Sequence, residues 1–248
     1  MHVHPFALKI TACLSVLLTA LLPAGTSFAA GDQHCHAAPV TVKIEKLSDG
    51  VFYPAIAGAP NQDVQATINT VFRRHAENIA ALDRKYKQQY AHDQFISASG
   101  AYYAHTQPAV RFNAHCRLSV SFTDETYTGG AHGMHKETVY NYRLKDGKRL
   151  ALGDVVHGKK EWQKLNASLK QQMVDLKKQG RYDFFLESFK GVDPERTQFF
   201  FSPGGITIVF QEYEVAPYSN GIIHLKVPFK VFKDAHSMHH RHCSSGQE

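Results

Sequence analysis

Between residues 61 and 122 the apolar side chains change their repeat. Val64, Ile68, Val71, Phe72, Ile79, Leu82 and Tyr86 recur at intervals of three, four and seven, which is the stripe along one face of a helix. Asn61 stands where an N-cap accepts the first unpaired amides, and Arg73, Arg74, Glu77, Arg84 and Lys85 fall on the opposite, solvated face. From Phe95 the interval drops to two. Phe112, Ala114, Cys116, Leu118, Val120 and Phe122 share one parity, and Asn113, His115, Arg117, Ser119 and Ser121 share the other, which reads as a single long strand with one apolar face. A helix repeat followed by a strand repeat excludes a plain helical bundle. The 16 Phe and 11 Tyr against a single Trp also favour substantial sheet.

Elements on either side extend the pattern. Residues 40–47 alternate, with Val40, Val42 and Ile44 inward, and a turn at Asp49-Gly50 leads into a strand over 51–56. Residues 137–144 continue the sheet, and Asp146-Gly147 turns the chain into 148–152. A second helix is expected from Glu161 to about Gln179, with Trp162, Leu165, Leu169, Met173 and Leu176 inside and an αL stop at Gly180. Strands follow at 197–201, 206–210 and 222–229. Strands, helix, strands, helix, strands, joined by hairpins rather than by regular βαβ units, give an α+β fold with antiparallel sheets, two main helices and two closely packed subdomains.

Residues 1–29 have the form of a secretory leader. Lys9 precedes an apolar run over 10–22, Pro23 breaks it, and Ser27-Phe28-Ala29 supplies small residues for cleavage near Ala29. The run is shorter than the roughly 18–20 apolar residues of a membrane span, and no later segment replaces it. Ile10-Thr11-Ala12-Cys13 resembles a lipoprotein box but precedes most of the apolar run. The expectation is therefore a periplasmic or secreted protein without a membrane span. Its organisation would be a leader over 1–29, a subdomain over 30–94, a second over 95–233, and a His-rich tail over 234–248. Cleavage leaves 27 basic against 22 acidic residues, a net +5. Without a long Lys/Arg run, this gives nucleic-acid binding no support.

No Gly-x-Ser-x-Gly elbow, His-Glu-x-x-His, Cys-x-x-Cys, phosphate loop or dinucleotide fingerprint is present, so no catalytic residue is assigned. Three features stand out. Gly129-Gly130-Ala131-His132-Gly133 concentrates glycines that permit close backbone approach around a His, either as a ligand-binding loop or as a plain connection between strands. Glu212-Tyr213-Glu214-Val215-Ala216-Pro217-Tyr218 sets two carboxylates on one side of a strand beside aromatics, a combination that suits sugars and equally suits a strand edge closed by Pro217. Gly129, Gly130, His132, Glu214 and Tyr218 are the candidate ligand-binding residues. Finally, His34 and His36 flank Cys35, while His236, His239, His240 and His242 precede Cys243. These are donors that zinc or copper would accept, in segments where histidines also bind metal adventitiously.

Cys35 and Cys243 lie in polar flanks just outside the first and last strands, and Cys116 falls on the apolar parity. Chain termini are often close together at a domain surface, so the expected bridge is Cys35–Cys243, with Cys116 packing as a reduced, small hydrophobe.

Several of these stretches together resemble a known family. Tyr53-Pro54-Ala55-Ile56-Ala57-Gly58 followed by Ile68-Asn69 is similar to the amino-terminal half of the extracellular module of RsiV-type anti-sigma factors, a module also found ahead of the catalytic domain in PdaC-type peptidoglycan deacetylases. Gly129-Gly130-Ala131-His132-Gly133, Tyr140-Asn141-Tyr142, Lys145-Asp146-Gly147-Lys148, Leu152-Gly153-Asp154 and Tyr213-Glu214-Val215-Ala216-Pro217-Tyr218 running into Gly221 resemble the second half, in the family's order. The likeness spans roughly residues 40–232 and implies an α+β envelope module that binds or senses rather than catalyses. In the anti-sigma branch that module binds lysozyme. The deacetylase catalytic domain has no counterpart here, and His236-Ser237-x-x-His240 lacks the upstream Asp-Asp that a polysaccharide deacetylase needs. The expected partner is thus a peptidoglycan-like glycan or a lysozyme-type enzyme. The net positive charge disfavours long-range attraction to a basic lysozyme. The rival expectations are a periplasmic zinc- or copper-binding protein and a cryptic peptidoglycan-modifying enzyme using His132 and Glu214.

Overall fold

The structure, a computed structural model, describes residues 38–92 and 100–233. The expected leader, Cys35, Cys243 and the terminal histidines His34, His36, His236, His239, His240 and His242 lie outside the described residues. Among the described residues the elements run β1 (Thr41–Ser48), β2 (Val51–Ala57), α1 (Gln62–His92), β3 (Tyr103–Ala114), β4 (Arg117–Tyr127), β5 (Met134–Arg143), α2 (Gly158–Lys178), β6 (Gln198–Ser202), β7 (Gly205–Phe210), β8 (Ile223–Pro228) and the single turn α3 (Phe229–Phe232). β1 to β5 form one sheet in sequence order and β6 to β8 a second, so the fold is α+β as expected.

Both helices form where the apolar stripes place them. Asn61 Oδ1 accepts the amides of Asp63 and Val64 at 2.8 and 3.3 Å, which caps α1. Val64, Ile68 and Phe72 then pack with Leu118, Val120, Phe122, Tyr140 and Tyr142 from the first sheet. On α2, Leu165, Leu169 and Met173 are fully buried against Phe199, Ile206, Ile208, Phe210 and Leu225. Gly180 takes the left-handed conformation just beyond it, at φ 67°.

Four differences from the sequence reading matter. First, β2 and β3 pair in parallel around Val51 and Thr106, because the 31 residues of α1 carry the chain back over the sheet as a crossover. The first sheet is therefore mixed and continuous across residue 95, and the change of sheet comes only after β5. Second, β1 is an edge strand, and Ile44, expected inside, is 47% exposed.

Third, the stretch 112–122 is a hairpin and not one strand. His115 and Cys116 both take positive φ, 49° and 54°, the signature of a two-residue turn whose twist matches its flanking strands. Ala114 pairs with Arg117 and Phe112 with Ser119. Phe112 therefore packs toward the second sheet and rests 6.0 Å from the Phe201 ring, while Leu118 faces α1. Fourth, Cys116 is disulfide-bonded. A turn position at the end of the sheet offers its sulfur to another segment in a way that a mid-strand position would not. The expectation of a reduced Cys116 is thereby corrected.

The second sheet meets the first edge to face. Phe199 O accepts Asn141 Nδ2 at 2.7 Å, and Phe201 N donates to Ser119 Oγ at 3.1 Å, with Asn141 and Ser119 bonded to each other at 2.6 Å. The free edge of β5 is closed in the same manner. The amides of His135, Glu137 and Val139 donate to Glu212, Gln211 and Gln198 at 2.9, 2.9 and 2.7 Å. Side chains here do what a sixth strand would do, leaving that edge no template for further pairing.

Candidate functional site

The closure of β5 carries the segment 211–218 against the loop 129–133. These two glycine-rich and aromatic stretches are 80 residues apart in sequence and adjacent in space. Tyr218 donates its hydroxyl to Gly133 O at 2.9 Å, and the His132 ring stacks on Tyr218 with centroids 3.8 Å apart and planes 18° from parallel. The Nδ1–H of His132 donates to the same carbonyl at 2.9 Å. Tyr213, 53% exposed, lies 5.7 Å from Tyr218 and extends the row of rings. Gly133 has to be glycine, since a Cβ there would stand 2.9 Å from Thr126 O. Gly129 and Gly130 take φ of 91° and 99°, and Tyr127 fastens the loop by donating to Gly130 O at 3.0 Å.

The polar side of the cluster comes from the strand ends beneath the loop. Glu212 accepts both the amide of His135 and its Nδ1–H, at 2.9 and 2.8 Å, and its side chain is only 4% exposed. The other ring nitrogen of His135 is 3.8 Å from Glu125 Oε1. Glu125 also accepts the Tyr103 hydroxyl at 2.6 Å, and this hydrogen bond, aided by burial, pushes the phenol up to about 12. Tyr103 stacks on His105 at 4.6 Å and on Tyr127 at 5.9 Å. His105, Glu125 and His135 are cross-strand neighbours, so imidazole and carboxylate alternate across three strands.

Of the candidate residues, Gly129, Gly130, His132 and Tyr218 are brought together, and Glu214 is not. Residues 211–216 form a turn, with Tyr213 left-handed at φ 64°. The alternation that would align Glu212 with Glu214 is therefore lost. Glu214 folds back to accept the Gln211 amide at 2.8 Å, and burial of that carboxyl pushes its pKa up although the residue as a whole is exposed. Glu212 takes its place, together with Tyr103, Glu125 and His135. A His or Glu at a strand end is unremarkable in sequence, and no signal marked those three. Among the described residues no group of three or more His, Cys, Asp or Glu is arranged to hold a metal ion.

Next to the cluster, Glu137 is buried at 2% exposure and joins the two sheets. It accepts Arg111 Nη2 at 2.9 Å and His224 Nε2 at 2.6 Å. Arg111 also donates to Ser121 at 2.8 Å and lies over the Phe200 ring. Burial alone would raise the Glu137 carboxyl, but the His224 hydrogen bond and the charges of His224 and Arg111 hold it below its ordinary value. Every named polar group in this joint has a partner, so it acts as a fastening.

Residues 45–135 match the family model described as deacetylase PdaC, and residues 155–230 match the model of DUF3298, a family of unknown function. A crystal structure of a DUF3298 family member from Bacteroides fragilis is similar with a TM-score of 0.54 at 17% identity, over 77% of this chain and 88% of that one. A DUF3298 family protein from Pseudomonas aeruginosa gives a TM-score of 0.46 at 18% identity over the same shares. At such identity the Bacteroides likeness shows the fold. No curated protein matches the chain.

Proposed function

We propose that this chain, which fits a PdaC/RsiV-like accessory module with a PdaC segment followed by a DUF3298 segment, is an exported, non-catalytic protein that binds a cell-envelope glycan. The observation that carries the reading is the ring row of His132, Tyr218 and Tyr213 beside the exposed carboxylate of Glu125. Flat rings take the apolar faces of sugar rings, and ionised carboxylates accept strong hydrogen bonds from sugar hydroxyls. Tyr218 is held in place by its hydrogen bond to Gly133 O, so little is lost in ordering it on binding. The leader-like pattern over 1–29 is in keeping with export to where such glycans occur. A binding role suits the site because Glu212 and His135 are already engaged with each other and hold the loop together.

A second reading rests on the exposure of Glu125, which gives this face acidic character within a basic chain. A basic lysozyme-type enzyme could dock there. Retention of the mature protein on purified sacculi and on lysozyme-coupled resin separates the two. The expected result is retention on sacculi, reduced by roughly two- to tenfold in Tyr213→Ala, which loses one aromatic contact worth about 0.5–1.5 kcal/mol. Retention on lysozyme alone would establish the second reading, and retention on neither would remove both.

A further inference from the structure

The two outer edges of the first sheet are treated differently. On the β5 side, Gln198, Gln211 and Glu212 occupy the backbone groups. Among the described residues no side chain closes the β1 edge in that way, and Ile44 stands 47% exposed in the middle of the strand.

Two observations fix which groups of β1 point outward. Ile44 pairs with Pro54 of β2, and a proline has no N–H to exchange. That pair is therefore of the non-hydrogen-bonded kind, in which both residues turn their backbone groups away from each other. Two positions along, Val42 pairs with Ile56. Asn69 of α1 takes the backbone of Ile56, its Oδ1 accepting the amide at 2.7 Å and its Nδ2 donating to the carbonyl at 3.0 Å. Those groups thus point away from β1, and the same phase follows. The N–H and C=O of Val42, Ile44 and Lys46 face the open edge. Between Lys46 and Ser48 the register shifts, which ends its regular part.

We infer that this edge pairs with β1 of a second copy of the chain, antiparallel and centred on Ile44, joining two five-stranded sheets into one. Ile44 exchanges both backbone hydrogen bonds with the partner's Ile44, and Val42 exchanges its own with the partner's Lys46. The paired isoleucines lie side by side on one face and cover each other. On the other face Lys43 stands opposite the partner's Glu45, and by symmetry Glu45 stands opposite the partner's Lys43. Within one chain Lys43 Nζ and Glu45 Oε1 are 2.8 Å apart, so the four charges alternate in sign around a square. Lys46 is met by Asp49 of its own chain at 2.7 Å. The charges also select the register. A shift by two residues keeps the same faces together but sets Lys43 against the partner's Lys43, or Glu45 against the partner's Glu45, and like charges directly opposite are destabilising. Charges on an edge strand usually deter pairing, whereas these favour self-pairing about Ile44. The paired stretch is short, so the dimer is weaker than one with a standard interface of about 1,200–2,000 Å². The inference does not depend on glycan binding at the aromatic cluster.

Sedimentation of the mature protein over a concentration series tests it. The expected result is a monomer–dimer equilibrium. Ile44→Pro removes an outward N–H at an edge position where proline is tolerated, and should weaken association roughly tenfold or more while the far-UV spectrum stays native. Lys43→Glu and Glu45→Lys should each weaken it to a similar degree, since each sets like charges opposite one another. An equimolar mixture of those two variants should associate again, because every charge then meets its opposite, and misfolding could not produce that rescue. Association indifferent to Ile44→Pro, a mixture that stays monomeric, or a native protein monomeric up to about 1 mM would overturn the inference. So would Val42 and Ile44 amides protected from hydrogen exchange at every dilution, since another segment of the same chain would then occupy the edge.

Discussion

Replacing Glu137 by Gln tests the joint between the sheets. In the native protein its carboxylate is 2% exposed and faces Arg111 of β3, Ser121 of β4 and His224 of β8. Removing one member of a buried charged pair typically costs about 3–5 kcal/mol, because the other charge is left uncompensated. The Arg111 and His224 side chains are 29% and 33% exposed, so water can take over part of that role. The expected loss is therefore about 2–3 kcal/mol at pH 7, read as a lower urea midpoint at unchanged slope. The pH dependence gives an independent check. The folded carboxyl is held below its ordinary value of 4.5, so its contribution is complete above that value and is lost as pH falls through the lower folded one. The gap between native protein and Glu137→Gln should be widest near neutrality and should close in acid. The paired change of Arg111→Met with Glu137→Leu should recover most of the stability. A gap below about 1 kcal/mol at pH 7, or one that persists unchanged in acid, would refute the reasoning.

Gly205→Ala should destabilise the chain by about 1–3 kcal/mol or more, since the new Cβ would lie 2.4 Å from Val227 O and 2.8 Å from Pro228 Cα, both rigid backbone; a thermal melt reads it. Non-reducing peptide mapping should find Cys116 in a bridge, and reduction should lower stability by about 2–4 kcal/mol. Tyr103 should ionise near pH 12, and Glu125→Gln should bring it back toward 10.0, as followed by phenolate absorbance.

Both long helices were legible in the sequence because each packs against one layer only. An element buried on one side shows a stripe, and Leu165, Leu169 and Met173 are all that α2 needs to face its sheet. The hairpin at His115-Cys116 was hidden for the converse reason. The first sheet is covered on both faces, by α1 on one and by the second sheet on the other. Phe112 can thus be half-buried on one face and Leu118 fully buried on the opposite one without interrupting the alternation. Nothing in Ala114-His115-Cys116-Arg117 announces a reversal, since neither turn residue is the Gly, Asn or Asp that usually takes positive φ. The parallel pairing of β2 with β3 was invisible for a related reason: a single crossover helix looks the same whether its strands end up neighbours or not.

The site was half legible, and the half that was missed shows how it is built. The loop 129–133 and the segment 211–218 could be singled out as unusual, but their contact depends on a device with no local signature. Gln211 pairs with both backbone groups of Glu137, accepting the amide at 2.9 Å and donating to the carbonyl at 2.9 Å, as the backbone of a neighbouring strand would. Glu212 then repeats the contact two residues earlier on β5, at His135. Once these two consecutive side chains are spent on the strand edge, the left-handed turn at Tyr213 can only swing the following residues over the loop. Tyr218 therefore lands on Gly133 and His132. Edge protection and ring placement are one set of bonds. A substitution at Gln211 should consequently disturb the aromatic cluster without touching a ring, whereas one at Glu214 should loosen only the turn itself, where its carboxylate accepts the Gln211 amide.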